Sequence, residues 1–144
     1  MAIHQETKTV EVGAAPEAVF AALTDFERLP EWQASIKSCA VLERYPDGMG
    51  REVEYVLDAK VAAVRYILAL DYDAPHRVRS TYVRGDLKDL NAEWVMEPAG
   101  EVTLVSLHLE IDPGLPLPGP IKRQIRNRVL GRALDDLACH LDGA

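Results

Sequence analysis

The order of polar and apolar residues along this chain changes period twice. From Thr7 to Val12 the two kinds alternate, which predicts a strand closed by Gly13. Pro16 then stands where a helix begins, and Val19, Phe20 and Leu23 recur at three- and four-residue spacing before Asp25. A second helical turn is expected over Phe26 to Trp32, interrupted by Pro30. From Ile36 the period becomes two, with turn signals at Asp47-Gly48, Asp73-Ala74-Pro75, Gly85-Asp86 and Ala99-Gly100. These separate about six further strands, at roughly 36–45, 50–58, 62–72, 77–84, 90–97 and 102–112. Turns this short join antiparallel neighbours.

Parity within the strands identifies a sheltered face. Val53, Tyr55 and Leu57 share one side while Glu52, Glu54 and Asp58 share the other. Val64, Tyr66, Leu68, Leu70 and Tyr72 align in the next strand, followed by Ala92, Trp94 and Met96, then Val105, Leu107, Leu109 and Ile111. Beyond the stiff segment Asp112-Pro113-Gly114-Leu115-Pro116-Leu117-Pro118-Gly119-Pro120, the period returns to helical. Ile121, Ile125, Val129, Ala133, Leu137 and Leu141 form a stripe, widened by Leu130 and Leu134. A helix of about 24 residues is about 36 Å long, enough to cross the domain. One long helix laid over a curved, one-sided antiparallel sheet encloses space, so a cavity is expected between them.

At 144 residues, with 48% hydrophobic residues and no compositional break, residues 1–144 are expected to form a single domain. No apolar run approaches the roughly 20 residues of a membrane span. The first residues lack the basic start and apolar core of a secretion signal, so a cytoplasmic location is expected. Cys39 and Cys139 match no metal-ligand spacing and read as small, reduced, buried or half-buried thiols. The four histidines lack the helical spacing of a zinc site, and His108, opposite in parity to Leu107 and Leu109, is expected on the convex side. No phosphate loop, dinucleotide fingerprint, GxSxG or CxxC is present, so no cofactor and no metal is expected. A formal charge of -7 repels phosphate backbones, and nucleic acid is not an expected partner.

The element order, with the segments Ala15-Pro16-Glu17-Ala18-Val19-Phe20, Asp25-Phe26-Glu27-Arg28-Leu29-Pro30-Glu31-Trp32, Gly85-Asp86-Leu87 and Pro113-Gly114-Leu115-Pro116-Leu117-Pro118-Gly119, resembles the START-like polyketide cyclase/dehydrase and lipid-transport superfamily. The resemblance runs from about Thr7 to Leu141, and the stretch from Asp25 to Trp32 is its most specific part. It implies an α+β helix-grip fold: a curved seven-stranded antiparallel sheet wrapped around a long C-terminal helix, with two short helices after the first strand. It also implies a hydrophobic cavity, used in different members for lipids, quinones, hormones or polyketides. Some members catalyse cyclisation or dehydration, and no invariant catalytic set carries over.

Parity and the resemblance together nominate Trp32, Tyr55, Tyr66, Leu68, Ser80, Tyr82, Arg84, Trp94, Met96, Leu107, Ile125 and Val129 as cavity candidates. Trp32 is expected near the mouth. Arg84 and Ser80 share parity with Val78 and Tyr82; an inward arginine would need an anionic or oxygen partner, and the other reading is that Arg84, at the strand end, reaches solvent past Gly85. The favoured reading is a non-enzymatic carrier or sensor of one hydrophobic small molecule, such as a lipid, isoprenoid quinone or polyketide. The alternative is a cyclase, aromatase or dehydratase in which Arg84, Tyr82 and Tyr66 orient a carbonyl-rich substrate. A third reading rests on Lys122, Arg123, Arg126, Arg128 and Arg132, which would meet an anionic membrane or an acidic macromolecule.

Overall fold

The computed structural model describes residues 4–58, 63–112, 120 and 132–142. Seven strands, β1 (His4–Val12), β2 (Ile36–Arg44), β3 (Gly50–Asp58), β4 (Ala63–Asp73), β5 (Arg77–Gly85), β6 (Asp89–Ala99) and β7 (Val102–Asp112), form one antiparallel sheet in the order β1-β7-β6-β5-β4-β3-β2. Consecutive strands β1 and β2 therefore occupy opposite edges. The segment joining them carries α1 (Pro16–Thr24), a 3₁₀ turn (Phe26–Arg28) and α2 (Leu29–Trp32), and it spans the sheet from edge to edge. Helix α3 (Ala133–Asp142) packs on β1 and touches both short helices. The expected helix upstream of Ala133, with Ile125, Val129 and most of the basic residues, lies outside the described residues.

Period-2 patterning determines the inner face, as expected. Val53 and Leu57 of β3, Leu70 of β4, Met96 of β6 and Val105 and Leu107 of β7 are closed to solvent. Val19 and Leu23 of α1 and Leu134 and Leu137 of α3 bury their apolar stripes against them. Pro16 opens α1 at a position whose N–H needs no helical partner. Phe26 comes so close to β3 that a Cβ on Gly50 would stand 2.8 Å from its ring, so this position accepts only glycine without rearrangement.

One strand departs from simple alternation. Leu68 pairs with Tyr82 but Ile67 pairs with Arg84, so Val83 is an extra residue in a β-bulge. Beyond a bulge the parity inverts. Arg84 therefore lies on the outer face beside Ile67 and is exposed, which removes it from the cavity candidates and agrees with the reading in which it reaches solvent at the strand end.

Candidate functional site

Beneath the helices the inner face leaves a small pocket. Its floor is Tyr55, Leu57, Tyr66, Leu68, Ser80, Leu90, Ala92, Trp94 and Leu107 from β3 to β7, and its roof is Gln33, Ser35, Ile36 and Ala133. Its free volume is about 70 Å³. That accommodates a few waters, each needing about 10–15 Å³. It is well below the roughly 300–1,000 Å³ of small-molecule pockets. Among the described residues this pocket is thus a small hollow left between packed side chains.

The roof is positioned by its backbone. Gln33 N–H donates to Leu29 O at 2.8 Å, Ala34 N–H to Asp136 Oδ2 of α3 at 3.0 Å, and Asp58 N–H to Ser35 O at 2.9 Å. These bonds hold residues 33–36 between α2, α3 and β3, leaving the Gln33 and Ser35 side chains to the pocket. Both residues are almost entirely buried, Gln33 at 5% and Ser35 at 1% exposure, and Ser80 opposite them is at 7%. Among the described residues none of these three side chains has a hydrogen-bond partner. A buried polar group without a partner costs about 1–3 kcal/mol, so such groups mark places that water or a ligand completes.

The tyrosines divide along the same line. Tyr45 OH donates to Leu70 O at 2.7 Å, Tyr72 OH to Gly50 O at 2.6 Å and Tyr82 OH to Leu87 O at 2.6 Å. Those hydroxyls fasten the sheet. Tyr55 and Tyr66 instead stack on each other, with ring centroids 5.5 Å apart and planes 17° apart. Among the described residues their hydroxyls meet no partner. They follow from a cross-strand row, because Cys39 is in register with Tyr55, Tyr55 with Tyr66 and Tyr66 with Gly85.

Gly85-Asp86-Leu87 acts at the end of this row. Gly85 has φ +146°, and a Cβ there would collide with Arg65 O and stand 2.6 Å from Tyr66 Cα. Asp86 then closes on Arg65, its N–H donating to Arg65 O at 2.8 Å and its Oδ2 accepting from Arg65 N–H at 2.9 Å. The backbone preceding Tyr66 is fixed, and with it the root of the ring. Burial raises the Tyr55 and Tyr66 hydroxyls well above the usual tyrosine range and pushes the Cys39 thiol up to about 12. All three stay protonated at neutral pH. Among the described residues the pocket wall carries no carboxylate, histidine, lysine or arginine.

Of the nominated residues, Tyr55, Tyr66, Leu68, Ser80, Trp94 and Leu107 line this pocket. Met96 is wholly buried in the core. Tyr82 is bonded to Leu87 and is not in the wall. Trp32 belongs to a separate cleft of about 150 Å³ beside Asp25, Arg28 and Glu31, with its ring stacked on His140 at 5.1 Å and 9°. Ile125 and Val129 lie outside the described residues. Gln33 and Ser35 escaped the sequence reading because they sit in an aperiodic loop. Two polar residues between Trp32 and Ile36 were the available signal. Both cysteines are free; Cys39 is buried as expected, whereas Cys139 is exposed on the outer side of α3.

A second hollow, of about 530 Å³, lies on the outer face of β1, β7, β6 and β5. Thr7, His108, Glu93 and Arg79 stand in one row across it. Thr7 Oγ1 and His108 Nδ1 are hydrogen-bonded at 2.9 Å, Gln5 Nε2 donates to Glu110 Oε2 at 2.8 Å, and Glu93 Oε2 accepts Arg77 and Arg79 at 3.5 and 3.6 Å. His108 is on the convex side, as its parity predicts. Among the described residues no cluster of His, Cys, Asp and Glu is arranged to hold a metal ion, and no helix is long and apolar enough to cross a membrane.

Residues 4–142 match the family described as polyketide cyclase / dehydrase and lipid transport. The chain belongs to this family. A START superfamily protein from Mycobacterium smegmatis is similar in structure, with TM-score 0.86 and 27% identity over 97% of this chain and 98% of that one. A protein from Thermus thermophilus has TM-score 0.82 and 22% identity over 97% and 98%. The Zhui aromatase/cyclase from a Streptomyces species has TM-score 0.78 and 15% identity over 98% and 93%, a likeness of fold. No curated protein matches the chain. The helix-grip, START-like architecture expected from the sequence is the one this family member adopts.

Proposed function

We propose that this polyketide cyclase/dehydrase and lipid-transport family member binds a hydrophobic small molecule in the inner pocket, which widens on binding. The observation that carries this reading is the set of buried polar side chains that have no partner among the described residues, around an otherwise apolar wall. Binding is favoured over catalysis because the described residues of the wall supply neutral donors and acceptors and, among them, no group charged at neutral pH. Such a wall orients a ligand without taking a proton from it. The cyclase version built on Arg84, Tyr82 and Tyr66 is given up, because the bulge turns Arg84 outward and Tyr82 is held by Leu87.

The test is native mass spectrometry of the purified protein, with the co-purified molecule extracted and identified, then repeated after each hollow is filled. Ala92→Phe places a ring on the pocket floor and Thr81→Phe places one in the outer hollow. The expected outcome is a bound mass in the wild type and in Thr81→Phe, absent from Ala92→Phe. Retention by Ala92→Phe with loss from Thr81→Phe would move the site to the outer face and end this reading.

A further inference from the structure

A pocket that widens must part along some seam of its wall, and the seams here are unequal. The floor strands β3 to β7 are joined by antiparallel pairing, so parting any two of them breaks a run of backbone hydrogen bonds. The roof is made of two pieces with no such ladder between them, residues 33–36 and Ala133 of α3. Across that line α3 reaches the loop at two points one helical turn apart. Asp136 Oδ2 accepts Ala34 N–H at 3.0 Å, and the His140 ring stacks on Trp32 with centroids 5.1 Å apart. Both contacts lie near the surface, where Ala34 and His140 are exposed. The neighbouring Asp135 instead meets Lys8 of β1 at 3.4 Å.

The two sides of this seam are anchored differently. Leu134 and Leu137 are wholly buried and hold α3 in the core. The loop is pinned to β3 at its far end, where Ser35 O accepts Asp58 N–H, and meets α3 through Ala34 and Trp32. We propose that the Asp136–Ala34 bond and the His140–Trp32 stack form a clasp that closes the inner pocket at rest, and that a hydrophobic ligand binds with this clasp parted, the loop moving away from a stationary α3. This rests on the inner pocket being the binding site. With the seam closed the hollow holds about 70 Å³, too little for such a ligand. A ligand that enters only the open form has its apparent affinity reduced by the fraction of molecules that are open. Weakening the clasp therefore tightens binding.

The test titrates anilinonaphthalene sulfonate, a fluorescent apolar probe, against the wild type and variants at one pH. Asp136→Ala should bind it about 2- to 5-fold more tightly, and Asp136→Ala combined with His140→Ala about 10-fold, because each lost contact lowers the cost of opening. Asp135→Ala removes the same charge one residue away and should leave affinity unchanged. Asp136→Asn keeps an acceptor oxygen and should stay at the wild-type value. Hydrogen exchange followed by NMR supplies a second readout on the wild type, which decides if Asp136→Ala does not fold: the Ala34 amide should exchange faster with the probe bound than without it. Equal affinities for Asp136→Ala and Asp135→Ala, weaker binding by the double variant, or an Ala34 amide better protected in the complex would overturn the clasp and leave the pocket standing. Binding undiminished in Ala92→Phe, or none in the wild type, would overturn the pocket and the clasp together.

Discussion

The two hollows on either side of the sheet differ in more than size. The outer one is several times larger, yet its side chains are occupied with one another: Gln5 with Glu110, Thr7 with His108, and Glu93 with both Arg77 and Arg79. The inner one is small, and Gln33, Ser35, Ser80, Tyr55 and Tyr66 around it are unmatched among the described residues. Volume alone would choose the outer hollow as the site. Unmet hydrogen-bonding capacity chooses the inner one, because exposed groups lose little when unpaired whereas buried ones lose their water without replacement.

The largest expected contrast comes from adjacent residues of β7. Leu107→Ala removes a side chain 1% exposed in the pocket wall and should cost about 2–5 kcal/mol in urea unfolding. His108→Ala, on the outer face, should stay within about 0.5 kcal/mol. Comparable costs on both sides would erase the distinction between a packed face and a solvated one.

Alkaline pH should act through the inner side. Cys39, Tyr55 and Tyr66 have raised values in the folded protein, so in the unfolded chain they release protons first, from about pH 9–10 upward. Their stabilising contribution is complete below that range and declines as pH rises, by up to about 1.4 kcal/mol per pH unit for each group. Urea midpoints measured between pH 8 and 11 should fall accordingly, and Cys39→Ala should flatten the onset of the decline. A midpoint that is level across that range would contradict the burial of these groups.

A smaller effect separates the two kinds of tyrosine. Tyr82→Phe removes a hydroxyl bonded to Leu87 O and should cost about 1 kcal/mol. Tyr66→Phe removes one with no partner among the described residues and should be neutral or slightly stabilising to the ligand-free protein. Equal losses in thermal melts would show that Tyr66 OH is already satisfied. Smallest of all, Glu93→Gln weakens partly exposed ion pairs to Arg77 and Arg79 and should change stability by less than about 1 kcal/mol. Raising the salt concentration should shrink even that difference.

Much of the architecture was legible in advance. The strands fall close to their expected ranges because each apolar face repeats every second residue over a long enough run to outweigh local ambiguity. Tyr55, Tyr66, Leu68, Ser80, Trp94 and Leu107 were nominated from that parity and do line the pocket. Parity left Arg84 between the cavity and solvent, and the extra residue Val83, visible only in the pairing of β5 with β4, decides for solvent. Trp32 was expected at the cavity mouth, but it stacks on His140, a neighbour more than a hundred positions away.

The sequence by itself determined which residues of each strand face the core, because side-chain alternation is a local property of an extended backbone. It also determined the turns and the family, which residues 4–142 confirm. Only the tertiary structure decided which polar groups remain unmatched. A hydroxyl such as Tyr82 or Tyr66 reads the same in sequence, and whether it meets a carbonyl depends on the folding of distant segments around it. The unmatched side chains of Gln33, Ser35 and Ser80 belong to that second kind of information, since the surroundings of each are set by separate parts of the chain meeting in space.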